Sequence, residues 1–269
     1  MRIFLLVLFF IATYGVWAQD GPKIKMDLDW GTTLGSESYD SAEAMTTDTE
    51  GNIYIVGSYS NIVDFDPSEE VYDMGASNCG GQYILKLDKY GDFIWARSFG
   101  APSNFRTSLQ GVCVDSEGSI ILTGRFLGEV DFNLNEGTHL VSSNKEDLFI
   151  LKIDKHTNFE WVYTIPSARI ASGFSVLTDK NDDILFAGFG DVNSSSIERY
   201  MVFGKISTDG DLHWSHWVKN SSFENPHKMC LDDEDNLYIA THFSGTATFT
   251  SQKNSITLQA ENAKDGLIL

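Results

Sequence analysis

Basic residues are scarce in this chain of 269: 19 Lys and Arg stand against 38 Asp and Glu, a formal charge of −19 at neutral pH. A surface of that sign repels phosphate backbones and anionic lipid headgroups, which argues against a nucleic-acid binder or a polybasic membrane-surface protein. Proline is rarer still, at five, so a proline-rich stalk is excluded. Three cysteines are too few, and odd in number, for a disulfide scaffold. No segment sustains a helical period, and there is no nucleophile elbow, P-loop or dinucleotide fingerprint. What the chain does have is 42% hydrophobic residues, 13% aromatics and 23 glycines, enough for a sizeable core broken by many tight turns.

The long uninterrupted apolar run is at the start. Arg2 precedes Ile3 to Ile11, and Ala12 to Ala18 follows with Val16 and Ala18 placed as a small-residue cleavage signal. From Ile3 to Ala18 the run falls short of the roughly 20 residues a bilayer span needs, and no basic stop-transfer cluster follows. The expectation is a signal peptide over 1–18, no membrane span after its removal, and a secreted or cell-surface protein over 19–269. No cysteine follows the run to carry a lipid anchor.

Self-similarity governs the rest. Gly51-Asn-Ile-Tyr-Ile-Val-Gly57-Ser-Tyr59 recurs as Gly118-Ser-Ile-Ile-Leu-Thr-Gly124-Arg-Phe126, as Asp182-Asp-Ile-Leu-Phe-Ala-Gly188-Phe, and as Asp235-Asn-Leu-Tyr-Ile-Ala-Thr241-His-Phe243. Leu85-Lys-Leu-Asp88, Leu151-Lys-Ile-Asp154 and Gly204-Lys-Ile-Ser207 keep step with it, as do Trp95, Trp161 and Trp214. Within a unit the pattern predicts four strands: Ala42 to Thr47, Asn52 to Tyr59, Tyr83 to Leu87 and Asp92 to Phe99, with turns at Asp48 to Gly51 and Asp88 to Gly91.

Four short antiparallel strands per repeat predict an all-β fold, a β-propeller of four-stranded blades. The units fall at about 31–99, 100–165, 166–218 and 219–269, three complete and most of a fourth, with 25–30 an orphan outer strand ending in Trp30. The third unit lacks the connector that elsewhere carries Val63-Asp-Phe-Asp-Pro67, Val130-Asp-Phe-Asn-Leu134 and Ala247-Thr-Phe-Thr-Ser251. A segment that can be dropped reads as a surface hairpin outside the blade core. Asp265 to Leu269 aligns with Asp147 to Leu151 and stops in a third strand. Two arrangements fit: a four-bladed ring completed by the strand of Trp30, or a fragment of a larger ring. The bare apolar edge of Leu267 to Leu269 favours the fragment.

With these residues in view, the chain resembles the bacterial SBBP-type beta-propeller repeat family over residues 25–269. The matching pieces are Asn52-Ile-Tyr-Ile-Val-Gly57-Ser, Val63-Asp-Phe-Asp-Pro67, Gly80-Gly81 before Tyr83-Ile-Leu-Lys-Leu-Asp88, and Gly91-Asp-Phe-Ile-Trp95. The third unit departs by lacking Val-Asp-Phe and the fourth by carrying Thr241 in place of Gly. The resemblance implies an extracellular or surface repeat protein, often accompanied by sorting or adhesion modules, and no conserved reaction.

Candidate chemistry is thin. The acidic turns opening at Asp48, Asp115, Asp179 and Asp232 are too short to wrap calcium and read as self-capping hairpin loops. Asp64 and Asp66 share one strand face, as paired acids of a glycosidase would, but the second unit has Asp131 and Asn133 there and the fourth Thr248 and Thr250. His213 and His216, three apart on a strand, point to opposite faces and cannot share a metal ion without a bulge. Trp95, Trp161 and Trp214 recur with the repeat and are expected to pack between blades. Cys113 and Cys230 occupy equivalent points of non-adjacent units, beyond the roughly 7 Å reach of a disulfide, and are expected to be small buried hydrophobes. Asn193 and Asn220 open glycosylation sequons, which the bacterial resemblance leaves unused. The reading is a non-catalytic interaction or structural module with no catalytic, cofactor-binding or metal-binding residues and an unidentified protein or glycan partner. The alternative is a glycan hydrolase or lyase with acids converging on the central channel.

Overall fold

The structure, a computed structural model, describes residues 30–75, 80–99, 107–192, 199–223, 228–250, 255–261 and 265–268; at 220–223, 250 and 267 it describes the backbone alone. The chain divides into two compact units, Met1–Gly31 and Thr32–Leu269, and every described strand lies in the second. The expected signal peptide, residues 25–29 of the orphan strand, Cys79 and the Asn193 sequon lie outside the described residues. Trp30 is described and belongs to no strand.

The first blade consists of β1 (Ser41–Thr47), β2 (Ile53–Tyr59), a small hairpin of β3 (Ile62–Asp64) and β4 (Asp73–Gly75), then β5 (Gly81–Leu87) and β6 (Phe93–Phe99), with sheet order β1-β2-β5-β6. The second is β7 (Thr107–Val114), β8 (Ile120–Asp131), β9 (Leu140–Ile153) and β10 (Phe159–Ile165), in order. The third is β11 (Ala171–Thr178), β12 (Ile184–Gly190), β13 (Arg199–Ile206) and β14 (Leu212–Phe223). The last strands are β15 (Lys228–Leu231), β16 (Leu237–Thr250), β17 (Ser255–Gln259) and β18 (Asp265–Ile268), with β16 pairing all of the other three. All of these pairings are antiparallel. The innermost strands β1, β7, β11 and β15 lie beside one another in sequence order: the fold is an all-β propeller of four-stranded blades. The repeat did not foreshadow how the far end of β14 is used. It pairs with β16, Phe223 opposite Phe243, so the third and fourth blades share one sheet.

The repeated glycine has a steric cause. Each inner strand of the first three blades carries a bulge, between Ala42 and Ala44, Leu109 and Gly111, and Gly173 and Ser175. The bend drives a serine carbonyl toward the second strand. A Cβ added at Gly57, Gly124 or Gly188 would lie 1.9 Å from the oxygen of Ser41, 1.8 Å from that of Ser108 or 2.2 Å from that of Ser172, so no larger residue fits. Thr241 stands at this point in the fourth blade. There the described pairing with the inner strand ends at Lys228 opposite Ala240, and Thr241 pairs with Leu267.

The core lies mainly between blades. Tyr54, Val56 and Ile84 of the first blade pack on Leu122, Phe149 and Leu151 of the second. Ile121, Leu148 and Ile150 of the second pack on Ile184, Phe186 and Val202 of the third. Met201 and Val218 meet Ile239, Phe243 and Ala247 of the fourth. Side chains of this size gain roughly 1.5–3 kcal/mol each on full burial, so the blade interfaces carry the fold.

Three expectations need correction. The connector is a hairpin, as its dispensability implied, but it belongs to the core: Val63, Phe65, Val130 and Phe132 are all buried. Phe65 packs against Tyr59 and Tyr83, and Phe132 against Phe99, Phe126 and Phe149. Cys113 is buried but Cys230, at the matching point of β15, is exposed, because no described residue covers that face of the fourth blade. Trp95 and Trp161 are half-buried against inter-blade clusters, whereas Trp214 is exposed, flanked by Phe203 and His216.

Candidate functional site

The acidic turns close on themselves. The Oδ1 atoms of Asp48, Asp115, Asp154, Asp179 and Asp232 each accept two backbone N–H groups of their own loop, for example Glu50 and Asn52 on Asp48 at 3.0 and 2.9 Å. The fourth loop residue has positive φ: Gly51, Gly118, Asp182 and Asp235 between the first and second strands, and Gly91, Thr157 and Gly210 between the third and fourth. This is a type I turn followed by a left-handed residue, the loop of a three-residue hairpin. At Asp48, Asp154 and Asp179 burial alone would raise the carboxyl pKa. Hydrogen bonds from Asn52, Asn158 and Lys205 respectively, with the loop amides, hold it below its ordinary value.

The second repeated marker supplies the counter-ions. Lys86, Lys152 and Lys205 reach across their sheets to Asp48, Asp115 and Asp179, at 3.7, 3.0 and 2.7 Å. The Lys-x-Asp element and the acidic turn are two ends of one stitch inside each blade. Asp64 is likewise a structural acid. Its Oδ1 accepts the amides of Asp66 and Tyr72, as Asp131 accepts those of Asn133 and His139. His213 lies 3.6 Å from Asp183 and His216 packs on rings, so the two are not brought to one point. Among the described residues no group of three or more His, Cys, Asp or Glu is placed to hold a metal ion. Asn220 is described by its backbone, within β14.

A different set of side chains converges in the groove between the second and third blades. A cavity of about 250 Å³ is lined by Gln110, Arg125, Ser172, Phe174, Phe189 and Arg199, with Ile170 at its edge. Gln110 and Phe174 are the bulged residues of β7 and β11, re-aimed by the extra residue in their strands. Arg125 follows the constricted Gly124 on β8, and Arg199 opens β13. Ile170 and Arg199 also border a neighbouring hollow that adds Lys145, Glu146 and Arg169. Arg125 pairs with Glu146 at 3.0 Å, and Arg169 stands 3.5 Å from the deeply buried Asp191. Burial raises the Asp191 pKa, with Arg169 and Arg199 opposing it. The Arg199 guanidinium lies over the Phe189 ring, 4.5 Å from its centre, and no carboxylate among the described residues comes within ion-pair distance of it.

Sequence reasoning passed over this groove because it looked for polar groups that repeat. Those hold the blades together. The groove is built where the repeat breaks: the residue after the marker glycine is Ser58, Arg125 and then Phe189, and the inner-strand bulge carries Glu43, Gln110 and then Phe174. Variation at rim positions of a regular scaffold was the available signal.

No protein-family model matches the chain. Among curated proteins it is similar to an uncharacterized WD repeat-containing protein of Acanthamoeba polyphaga mimivirus, 26% identical over 186 residues. The match covers 60% of this chain and 13% of that protein. Among solved structures, the tail fiber of a Staphylococcus aureus phage aligns over 86% of this chain and 52% of its own at 13% identity, with a TM-score of 0.28. At that score the likeness has no bearing on the fold or the site.

Proposed function

We propose that the chain is an exported, non-catalytic β-propeller repeat protein that serves as an interaction or structural module at the cell surface or outside the cell, in the manner of the SBBP-type repeats it resembles. The observation that carries this reading is the fate of the repeated acids: Asp48, Asp115 and Asp179 are held by their own loop amides and by Lys86, Lys152 and Lys205. Polar groups recurring with the blade period are scaffold, and such a scaffold presents variable rim residues to a partner. The similarity to a WD repeat-containing protein supports a repeat module. The apolar run Ile3 to Ala18 supports export. Expression of the full chain in a bacterial host, with fractionation and N-terminal sequencing, tests the address. A product beginning at Gln19 outside the inner membrane is the expected result; a cytoplasmic product that keeps Met1 overturns export.

A further inference from the structure

We infer that the groove between the second and third blades is a binding site for a carboxylate borne on a small polar molecule. The inference rests on the interaction-module reading only in giving that module a ligand class; it requires neither export nor a particular blade number.

Charge is the first reason. The chain has twice as many acids as bases, yet Arg125, Lys145, Arg169 and Arg199 all border the two adjoining hollows. Among the described residues two acids oppose them. Glu146 faces Arg125, and Asp191 faces Arg169 from a buried position. Four cations against two anions among the described residues give these hollows a positive lining on a strongly negative molecule, where it focuses the local field on an incoming anion.

Geometry is the second. Arg199 is half-buried, fixed over the face of Phe189, and lacks a carboxylate partner among the described residues. A guanidinium placed over an aromatic ring can still offer its N–H groups to a planar two-oxygen acceptor. The Arg125–Glu146 pair at 3.0 Å already shows a carboxylate accepted in this groove. Gln110, whose Nε2 donates one hydrogen to Ser108 Oγ at 2.8 Å and has a second, lies on the wall, and Phe174, its ring stacked 5.6 Å from that of Phe189, adds an apolar surface. About 250 Å³ accommodates a single sugar acid or amino acid and not a polymer. A compact monoanion also enters the field of a −19 molecule at less cost than a multiply charged phosphate.

The two sources of such a carboxylate, an acidic sugar and an amino-acid side chain, are separated by calorimetric titration of the full chain with the monoanions D-glucuronate and N-acetyl-glutamate α-amide, with neutral D-glucose and with inorganic phosphate. At least one carboxylate is expected to bind in the millimolar range or tighter, the stronger of the two naming the source, while glucose does not bind. Arg199→Gln is expected to weaken that binding about tenfold with an unchanged thermal midpoint, and Lys89→Gln, on a distant turn, to leave it unaltered. If Arg199→Gln lowers the midpoint, Arg199→Lys keeps the charge and loses the fork, and its affinity decides. Absence of carboxylate binding up to about 10 mM, phosphate binding as tightly, or affinity indifferent to both Arg199 substitutions would overturn the inference. None of those results touches the export test, so the two readings fail separately.

Discussion

Lys152 and Asp115 form an ion pair at 3.0 Å with both side chains almost wholly buried, at 6% and 1% exposure. The same ammonium donates to Thr208 Oγ1 at 2.8 Å in the third blade and lies 3.5 Å from Glu160. One lysine thus closes its own blade and ties it to the next. Taking such charges out of water costs several kcal/mol, recovered when all partners are present. Lys152→Met is therefore expected to destabilise by about 3–5 kcal/mol. The double change with Asp115→Leu should cost clearly less than the two single changes together, because it leaves no orphaned buried charge. Denaturant midpoints for the four proteins of the cycle measure this, and simple additivity would contradict it.

Gly124→Ala should cost about 3 kcal/mol or more, since its methyl would sit 1.8 Å from the Ser108 carbonyl oxygen. Gly75→Ala is the control: the nearest atom to a Cβ there is Ile62 Cγ1, at 4.0 Å. Thermal melts of the two proteins should separate widely, and similar midpoints would refute the bulge explanation of the repeated glycine.

Asp182 occupies a left-handed position, φ 61°, where its counterparts in the first two blades are Gly51 and Gly118. Its carboxylate accepts the amide and hydroxyl of Ser116 in the preceding blade at 3.0 and 2.5 Å. Asp235 repeats the reach, pairing with Lys180 at 2.5 Å. Asp182→Gly should relax the backbone yet still lower stability by about 1 kcal/mol, because the lost hydrogen bonds outweigh the relief. In a Ser116→Ala background, which removes the hydroxyl bond and keeps the amide bond, the same substitution should cost less than in the unaltered protein, as denaturant midpoints would show.

Acid should act through the turns. The carboxyls of Asp48, Asp154 and Asp179 would be raised by burial but are held below their ordinary values by hydrogen bonds. Their stabilisation is complete above the unfolded value near pH 4 and is lost as pH falls through the lower folded values. Asp191, raised mainly by burial, works in the opposite sense, favouring the fold more as it protonates. The thermal midpoint should hold down to about pH 5 and fall below about pH 4. Asp154→Asn should flatten that fall and leave the proton dependence from Asp191 in place; a midpoint that declines between pH 7 and 5 would contradict this assignment.

Much of the fold was legible because backbone geometry prints itself on sequence in a repeating pattern. A left-handed turn residue favours Gly51 or Gly118, a close carbonyl demands Gly57 or Gly124, and a turn carboxylate is matched by Lys86 or Lys152. What could not be read was anything set by a neighbour's presence. Trp214 and Cys230 share the periodicity of Trp161 and Cys113, but burial depends on whether another blade covers them. The connector looked dispensable because the third blade lacks it, yet where present its Phe65 and Phe132 complete aromatic clusters. The arginine groove escaped for a related reason: Arg125, Arg169 and Arg199 are far apart along the chain and meet only once blades stack.

Because each blade buries its apolar residues chiefly against the one before and the one after, cooperativity in this molecule is short-ranged, like a row of coupled links. Removing the Trp161 ring, whose Nε1 donates to Thr208 O at 3.0 Å, should therefore speed amide exchange in β10 and β13 while β1 and β2 keep their protection. Met45 on β1 is 65% exposed where its counterpart Val112 is 7%, and Tyr238 on β16 is 43% exposed where Tyr54 is 1%. β1 and β16 are thus less covered than their counterparts in the second and first blades, and opening should begin at these two strands.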